Sequence, residues 1–181
     1  ALALFNQSKS AFDPQLTDLL SAIGINGFLR EDYDTAEDHF RSSQNLQHRS
    51  LGLFAAEQTS NLNWLTRIYL KTDEPAAADN TQRYILEIAK RAFPAGDAAL
   101  SGVKVAIAAY LGQRARTLSP FADDSDRLLR QTLFNESLEL LSEAISEISE
   151  AEGPYAADLI DPLKTKARIH SWRGGDRRLQ E

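Results

Sequence analysis

The sequence predicts an all-α protein, an α-solenoid of antiparallel helix pairs with about seven helices, and three observations carry that expectation. Apolar residues recur at i, i+3, i+4 and i+7 along seven segments, the spacing of helices with one buried face. No segment alternates apolar and polar residues between tight Asn-Gly or Asp-Gly turns in the manner of a hairpin. A large-small pair, Ile23-Gly24, Leu65-Thr66 and Ile107-Ala108, returns at intervals of 42 residues. Such repetition favours stacked like units over an irregular bundle with accidental spacing.

The first helix is expected from about Asp13-Pro14 to Arg30, with Asp as N-cap and Pro at the first helical position, where its missing N–H is not needed. The second opens after Asp32 and carries Tyr33, Ala36, Phe40 and Leu46. The third is expected over about Leu51 to Thr72, with Phe54, Leu62, Leu65, Ile68 and Tyr69 on one face. The fourth starts near Pro75, carries Ile85, Ile88, Ala89 and Ala92, and is broken by Pro94-Ala95-Gly96. The fifth covers about Ala98 to Leu118 through Val103, Ile107, Tyr110 and Leu111. The sixth covers about Asp126 to Ala151 through Leu129, Leu133, Leu140, Leu141, Ile145 and Ile148, and ends at Gly153-Pro154. The seventh covers about Tyr155 to Arg173, before Gly174-Gly175.

Further positions repeat around the pair: Leu20 and Leu62 before it, Gly27, Tyr69 and Leu111 after it, Ala36 and Ala78 in the second helix of each unit. The period then slips by 17 residues, taking Ala108 to Ala167 and Ala78 to Ser137, so one insertion is expected between the fifth and sixth helices, roughly residues 112 to 130. A small residue beside a large one lets a neighbouring helix approach. Gly24, Thr66, Ala108 and Ala167 are therefore expected at close helix–helix contacts.

Composition removes several function classes. The 181 residues contain no Cys, which excludes disulfides, thiolate metal sites and cysteine nucleophiles. Net charge is −6, which argues against nucleic acid as a partner. No apolar run approaches the roughly 18 residues of a membrane span. Met is absent too, so Ala1 is expected to be a processed start or the edge of a fragment, and an exported and a cytoplasmic location both stay open. No Gly-rich phosphate loop occurs, and no cofactor is expected. His39, His48 and His170 have no metal-binding spacing, and His170 falls on the packing position of Gly27, Tyr69 and Leu111. No catalytic or metal residue is expected. Asp123-Asp124-Ser125-Asp126 lacks the Gly and closing Glu of a calcium loop and reads as a helix N-cap with first-turn acids. Pro120-Phe121 beside it is expected to be an exposed apolar element. The row Glu136, Glu139, Glu143, Glu147 and Glu150 reads as a solvated outer face.

With these positions in place, the sequence resembles the tetratricopeptide repeat family, in particular its long-helix variety of about 42 residues. The resemblance rests on Leu20, Ile23, Gly24, Asp32-Tyr33, Ala36 and Phe40 in the first unit and on Leu62, Leu65, Tyr69 and Ala78 in the second. In the third, Phe134, Ser137, Leu141 and Ala144 fit, and Glu150-Ala151-Glu152-Gly153-Pro154 resembles the connector; the fourth keeps Leu163, Ala167 and Arg173-Gly174-Gly175-Asp176. It implies one repeat domain over 14–181, with units near 14–50, 51–95, 98–153 and an incomplete 155–181, after an N-terminal extension of residues 1–13. Gly27, Gln82, Lys104 and Lys166 depart from the family's apolar or aromatic pattern.

What the resemblance implies about function is an inner surface lined by the first helix of each unit. Carried over, its positions are Ser21, Ile25 and Leu29; Asn63, Arg67 and Lys71; Val105, Ala109 and Gln113; and Lys164, Arg168 and Trp172. Two trios are cationic and none contains an acid. The pairs Asn63-Arg67 and Lys164-Arg168 resemble a clamp for a carboxylate, although Ser21 and Ile25 stand where it would need Lys and Asn. The expectation is a non-enzymatic scaffold that binds a protein or peptide, of acidic character, through Asn63, Arg67, Lys71, Lys164, Arg168 and Trp172 together with Ile25 and Leu29. The alternatives are self-association through the uncovered face of the seventh helix, at Leu159, Leu163 and Ile169, and a sensor or accessory domain of a larger polypeptide.

Overall fold

Helices follow one another along the computed structural model, which describes residues 14–178, with side chains described for 15–174. They are α1 (Pro14–Leu29), α2 (Tyr33–Leu51), α3 (Thr59–Lys71), α4 (Pro75–Ala92), α5 (Ala98–Thr117), α6 (Asp124–Glu152) and α7 (Ile160–Arg178), with 3-10 turns at Ala56–Gln58 and Ala157–Leu159. Among the described residues there is no strand, and within each of two compact units the helices pack on one another in a helical-repeat-like arrangement. The chain divides into two compact units, Ala1–Ala92 and Phe93–Glu181. The expected extension 1–13, with the Asp13 cap, lies outside the described residues.

In the first unit α1 packs on α2, α2 on α3 and α3 on α4. Two tight turns close the pairs in the same way. Glu31 and Asp73 adopt φ of 61° and 60°, and Asp32 N–H donates to Gly27 O as Glu74 N–H donates to Tyr69 O, at 3.0 and 2.7 Å. Each is a left-handed cap with its long-range carbonyl bond, and the two lie 42 residues apart. Gly24 explains the close approach of α1 and α2, since a Cβ there would stand 3.0 Å from the fully buried Phe40 ring. Thr66 plays the same part between α3 and α4, accepting from Gln82 Nε2 at 3.0 Å. Gln82 stands where the repeat pattern expects an aromatic, and its two amide bonds, to Thr66 and to Asn63 Oδ1 at 3.2 Å, account for its burial.

In the second unit α5 and α6 form the longest pair, and α7 packs on both. Ala108 is fully buried and its carbonyl accepts from Ser137 Oγ at 2.6 Å, as the repeat spacing requires. Ala167 is the exception: it is exposed, because no helix follows α7 among the described residues to cover it. His170, expected at a packing position, is exposed as well, and the buried positions of α7 among the described side chains are Pro162, Thr165 and Ile169. Of the three apolar residues expected to be uncovered, Leu159 and Ile169 are instead buried, Ile169 at 0% exposure against Gly112 of α5, and only Leu163 is open, at 50%.

Several boundaries differ from expectation for identifiable reasons. Leu51 ends α2 rather than starting α3, because Gly52 turns the chain at φ 97° and a 3-10 turn intervenes. Buried Gln58 locks that turn by donating to the carbonyls of Leu53 and Gly52 at 2.7 and 3.3 Å. The second unit repeats the device at Gly153, φ 94°, so α7 begins at Ile160 and not at Tyr155. It also runs through Gly174-Gly175 to Arg178. Most of the segment expected to hold an insertion, residues 112–130, is helix: α5 continues to Thr117 and α6 starts at Asp124, capped by Asp123, whose carboxylate accepts from Asp126 N–H at 2.9 Å. Buried Arg130 reaches back to the carbonyls of Ala115 and Leu118, at 2.6 and 2.8 Å, and so adds side-chain donors at the end of α5, where helix carbonyls run out of backbone partners.

The acidic row on α6 is not wholly a solvated face. Lys104 on α5 is 4% exposed and pairs with Glu147 at 2.6 Å and Glu143 at 2.9 Å, while Ser101 also donates to Glu147 at 3.1 Å. Burial pulls the Lys104 pKa down, but the two carboxylates outweigh it and hold the ammonium above its ordinary value of 10.5. A lysine at an apolar repeat position is thus accommodated by acids one helix away.

Candidate functional site

Two of the expected inner positions of the first unit, Asn63 and Arg67, lie beside a tryptophan. Trp64 lies parallel to Phe40 with ring centroids 5.9 Å apart and meets the edge of Phe28 at 5.2 Å, so α1, α2 and α3 are tied at one aromatic cluster. Such pairs contribute about 0.5–1.5 kcal/mol each beyond their buried area. One turn along α3, the Arg67 guanidinium lies over the Trp64 ring, 4.6 Å from its centroid. Among the described residues no carboxylate pairs with Arg67.

Arg67, Asn63, Ser60 and Trp64 line a cavity of about 240 Å³ on α3. The Asn63 Oδ1 is occupied by the Gln82 amide, which leaves its Nδ2 as a donor. The cavity therefore offers a guanidinium, an amide N–H and a hydroxyl, with no acid in its lining. Donors of this kind suit an anion, since a charge-assisted pair is about twice as strong as a neutral one, and Arg holds a carboxylate with two parallel bonds.

The other expected residues of this unit fall outside that group. Leu29 is 71% exposed and Ile25 half-buried, both on α1. Lys71 is exposed in the last turn of α3, where a cation complements the helix dipole. Ser21 is not free for a ligand: its hydroxyl is bonded into a network with Asn61 Oδ1 at 2.8 Å, Ser43 Oγ at 3.0 Å and Thr17 O at 2.9 Å. Asn61 continues that network to Gln47 at 3.1 Å, so α1, α2 and α3 are joined by polar contacts as well as by rings.

In the second unit, half-buried Trp172 carries two guanidinium groups over its ring, Arg168 at 5.4 Å and Arg116 of α5 at 5.3 Å. Lys164 is exposed on α7 and joins neither arrangement. Val105 and Ala109 are half-buried and Gln113 exposed. Pro120-Phe121 does lie in the α5–α6 turn, with Phe121 68% exposed.

Sequence reasoning missed Trp64, Ser60, Gln82 and Arg116. Trp64 follows Ser60 by four positions and precedes Arg67 by three, so all three share one strip of α3, a signal that a rule selecting one residue in four passes over. Gln82 and Arg116 lie on other helices, and only folding brings them to Asn63 and Trp172. Among the described residues no group of three His, Asp or Glu could hold a metal ion, and no helix is long and apolar enough to cross a membrane. No protein-family model matches the sequence, and no curated protein matches it significantly.

Proposed function

We propose that this chain is a non-enzymatic interaction scaffold, similar in plan to tetratricopeptide repeat proteins, whose α3 face takes a carboxylate of an acidic peptide. The observation that carries the reading is Arg67: a guanidinium held over Trp64 without a carboxylate partner, beside a free amide donor in a cavity lacking acids. In a chain of net charge −6, such a group is set apart from its surroundings. The repeated pair positions, the two left-handed caps 42 residues apart and the two Gly-led 3-10 turns support the family likeness. Trp172 with Arg168 and Arg116 is a second anchor of the same chemistry, since Trp and Arg are enriched among residues that dominate binding energy.

Fluorescence anisotropy of a fluorescein-labelled pentaglutamate peptide tests this. Arg67→Glu should weaken binding at least about tenfold with helicity retained, because a lone surface charge contributes only about 0–1 kcal/mol to folding, and added salt should weaken it for the native chain. Undiminished binding by the folded variant sinks the assignment. Self-association is the second reading, favoured by one observation: Ile160, Leu163 and Ala167 form an uncovered strip on α7, whereas Gly24, Thr66 and Ala108 lie under a following helix.

A further inference from the structure

The second unit carries an open groove of about 330 Å³ bounded by the first turns of α5, the end of α6, the 3-10 turn and the start of α7, with Gly102, Glu152, Asp158 and Asp161 exposed along it. Its walls are of two kinds. Gly102, Val105 and Ala106 of α5, with Ile148 and Pro162, form an apolar side; Glu152, Asp158 and Asp161 form an acidic one. Among the described residues none of these three carboxylates has an ion pair or a side-chain hydrogen bond. Asp158 and Asp161 also complement the N-terminal end of α7. That account does not extend to Glu152, which ends α6 where the helix dipole disfavours an acid and where the last turn carries no base.

Gly102 is the independent observation. It sits inside a 20-residue helix, where glycine is about 0.5–1 kcal/mol less favourable than alanine. A Cβ at this position would meet nothing within 4 Å, so the chain's own packing does not require glycine there. What a longer side chain at 102 would occupy is the groove.

We infer that this groove receives the long cationic side chain, Arg or Lys, of a partner peptide. The methylene stem lies along Gly102, Val105 and Ile148, as such stems do on apolar surface, and the charged head meets the unpaired carboxylates. A volume at the lower edge of the roughly 300–1,000 Å³ range of ligand sites suits one side chain. The inference is independent of the Arg67 reading, since it concerns another unit and the opposite charge, and either can fail alone.

The test is a ¹⁵N NMR titration of the full chain with three blocked tripeptides, acetyl-Gly-X-Gly-amide with X as Arg, Lys or norleucine. Saturable shifts at the Gly102, Ala106 and Glu152 amides are expected with Arg or Lys, at a dissociation constant on the order of 1 mM. Norleucine, which keeps the stem without the charge, should bind at least about tenfold more weakly, and Asp158→Asn with Asp161→Asn should weaken the cationic peptides severalfold. Gly102→Leu should abolish binding, and Gly102→Ala, which improves the helix, should weaken it while leaving the fold intact. Absence of saturation with both cationic peptides, equal binding of norleucine, or undiminished binding in Gly102→Leu or, should that variant not fold, in Gly102→Ala would overturn the inference.

Discussion

Two glycines on α5 should answer the same substitution with opposite signs. At Gly112 a Cβ would stand 2.7 Å from Ile169 Cδ1, 2.8 Å from its Cγ1 and 3.3 Å from Ser137 Oγ. Neither neighbour can withdraw: Ile169 and Ser137 are both fully buried, and the Ser137 hydroxyl is bonded to Ala108 O. Gly112→Ala therefore gains about 0.5–1 kcal/mol of helix preference and loses about 1–3 kcal/mol to overpacking. Gly102→Ala gains the same preference against empty space. The preference is common to both and cancels between them, so the gap is the overpacking cost, about 1–3 kcal/mol, or roughly 5- to 150-fold in an equilibrium constant. Amide hydrogen exchange along α5 and α7 reads it directly, with protection falling in Gly112→Ala and rising in Gly102→Ala. Ile169→Val, which removes the Cδ1 atom, should cost about 0.5–1.5 kcal/mol in the native chain and distinctly less in the Gly112→Ala background, as contacting residues do not add. Equal stabilisation by both alanine substitutions, or an unchanged cost of Ile169→Val, would show that α5 and α7 do not meet at this glycine.

Lys104→Met should lower stability by about 1–3 kcal/mol, less than a fully buried pair would lose, because water reaches Glu143 at 46% side-chain exposure; a double-mutant cycle with Glu147→Gln measures the coupling. The Lys104 pKa is raised on folding, so its contribution is complete below the ordinary lysine value of 10.5 and is lost as pH rises through the higher folded value. The urea midpoint should fall above about pH 10.5 by more in the native chain than in Lys104→Met. If the α7 strip mediates self-association, sedimentation velocity over a hundredfold concentration range should show a reversible dimer that Leu163→Glu abolishes, whereas a strict monomer removes that reading.

The positions of the helices were legible because their causes are local. Asp32 and Asp123 cap the residues just after them, Pro75 fits a first turn, and a 3.6-residue period decides which side chains can share a buried face. The 42-residue spacing even reached one step further, to Gly24, Thr66 and Ala108 at helix contacts, since a repeated unit packs its equivalent positions alike. Asn63 and Arg67 were legible as neighbours on one helical strip, yet Trp64 beneath the guanidinium and Gln82 behind the amide make them a site. The rest depended on partners far away in the chain. Lys104 is buried because Glu143 and Glu147 stand opposite it, Arg130 is buried because it reaches back to the carbonyls that end α5, and Ala167 is exposed although it matches three buried residues, because no described helix follows α7 to cover it. Gly102 and Gly112 are the same residue on the same helix: their lack of a side chain is written in the sequence, and only the packing of α6 and α7 makes one a contact and the other a groove wall.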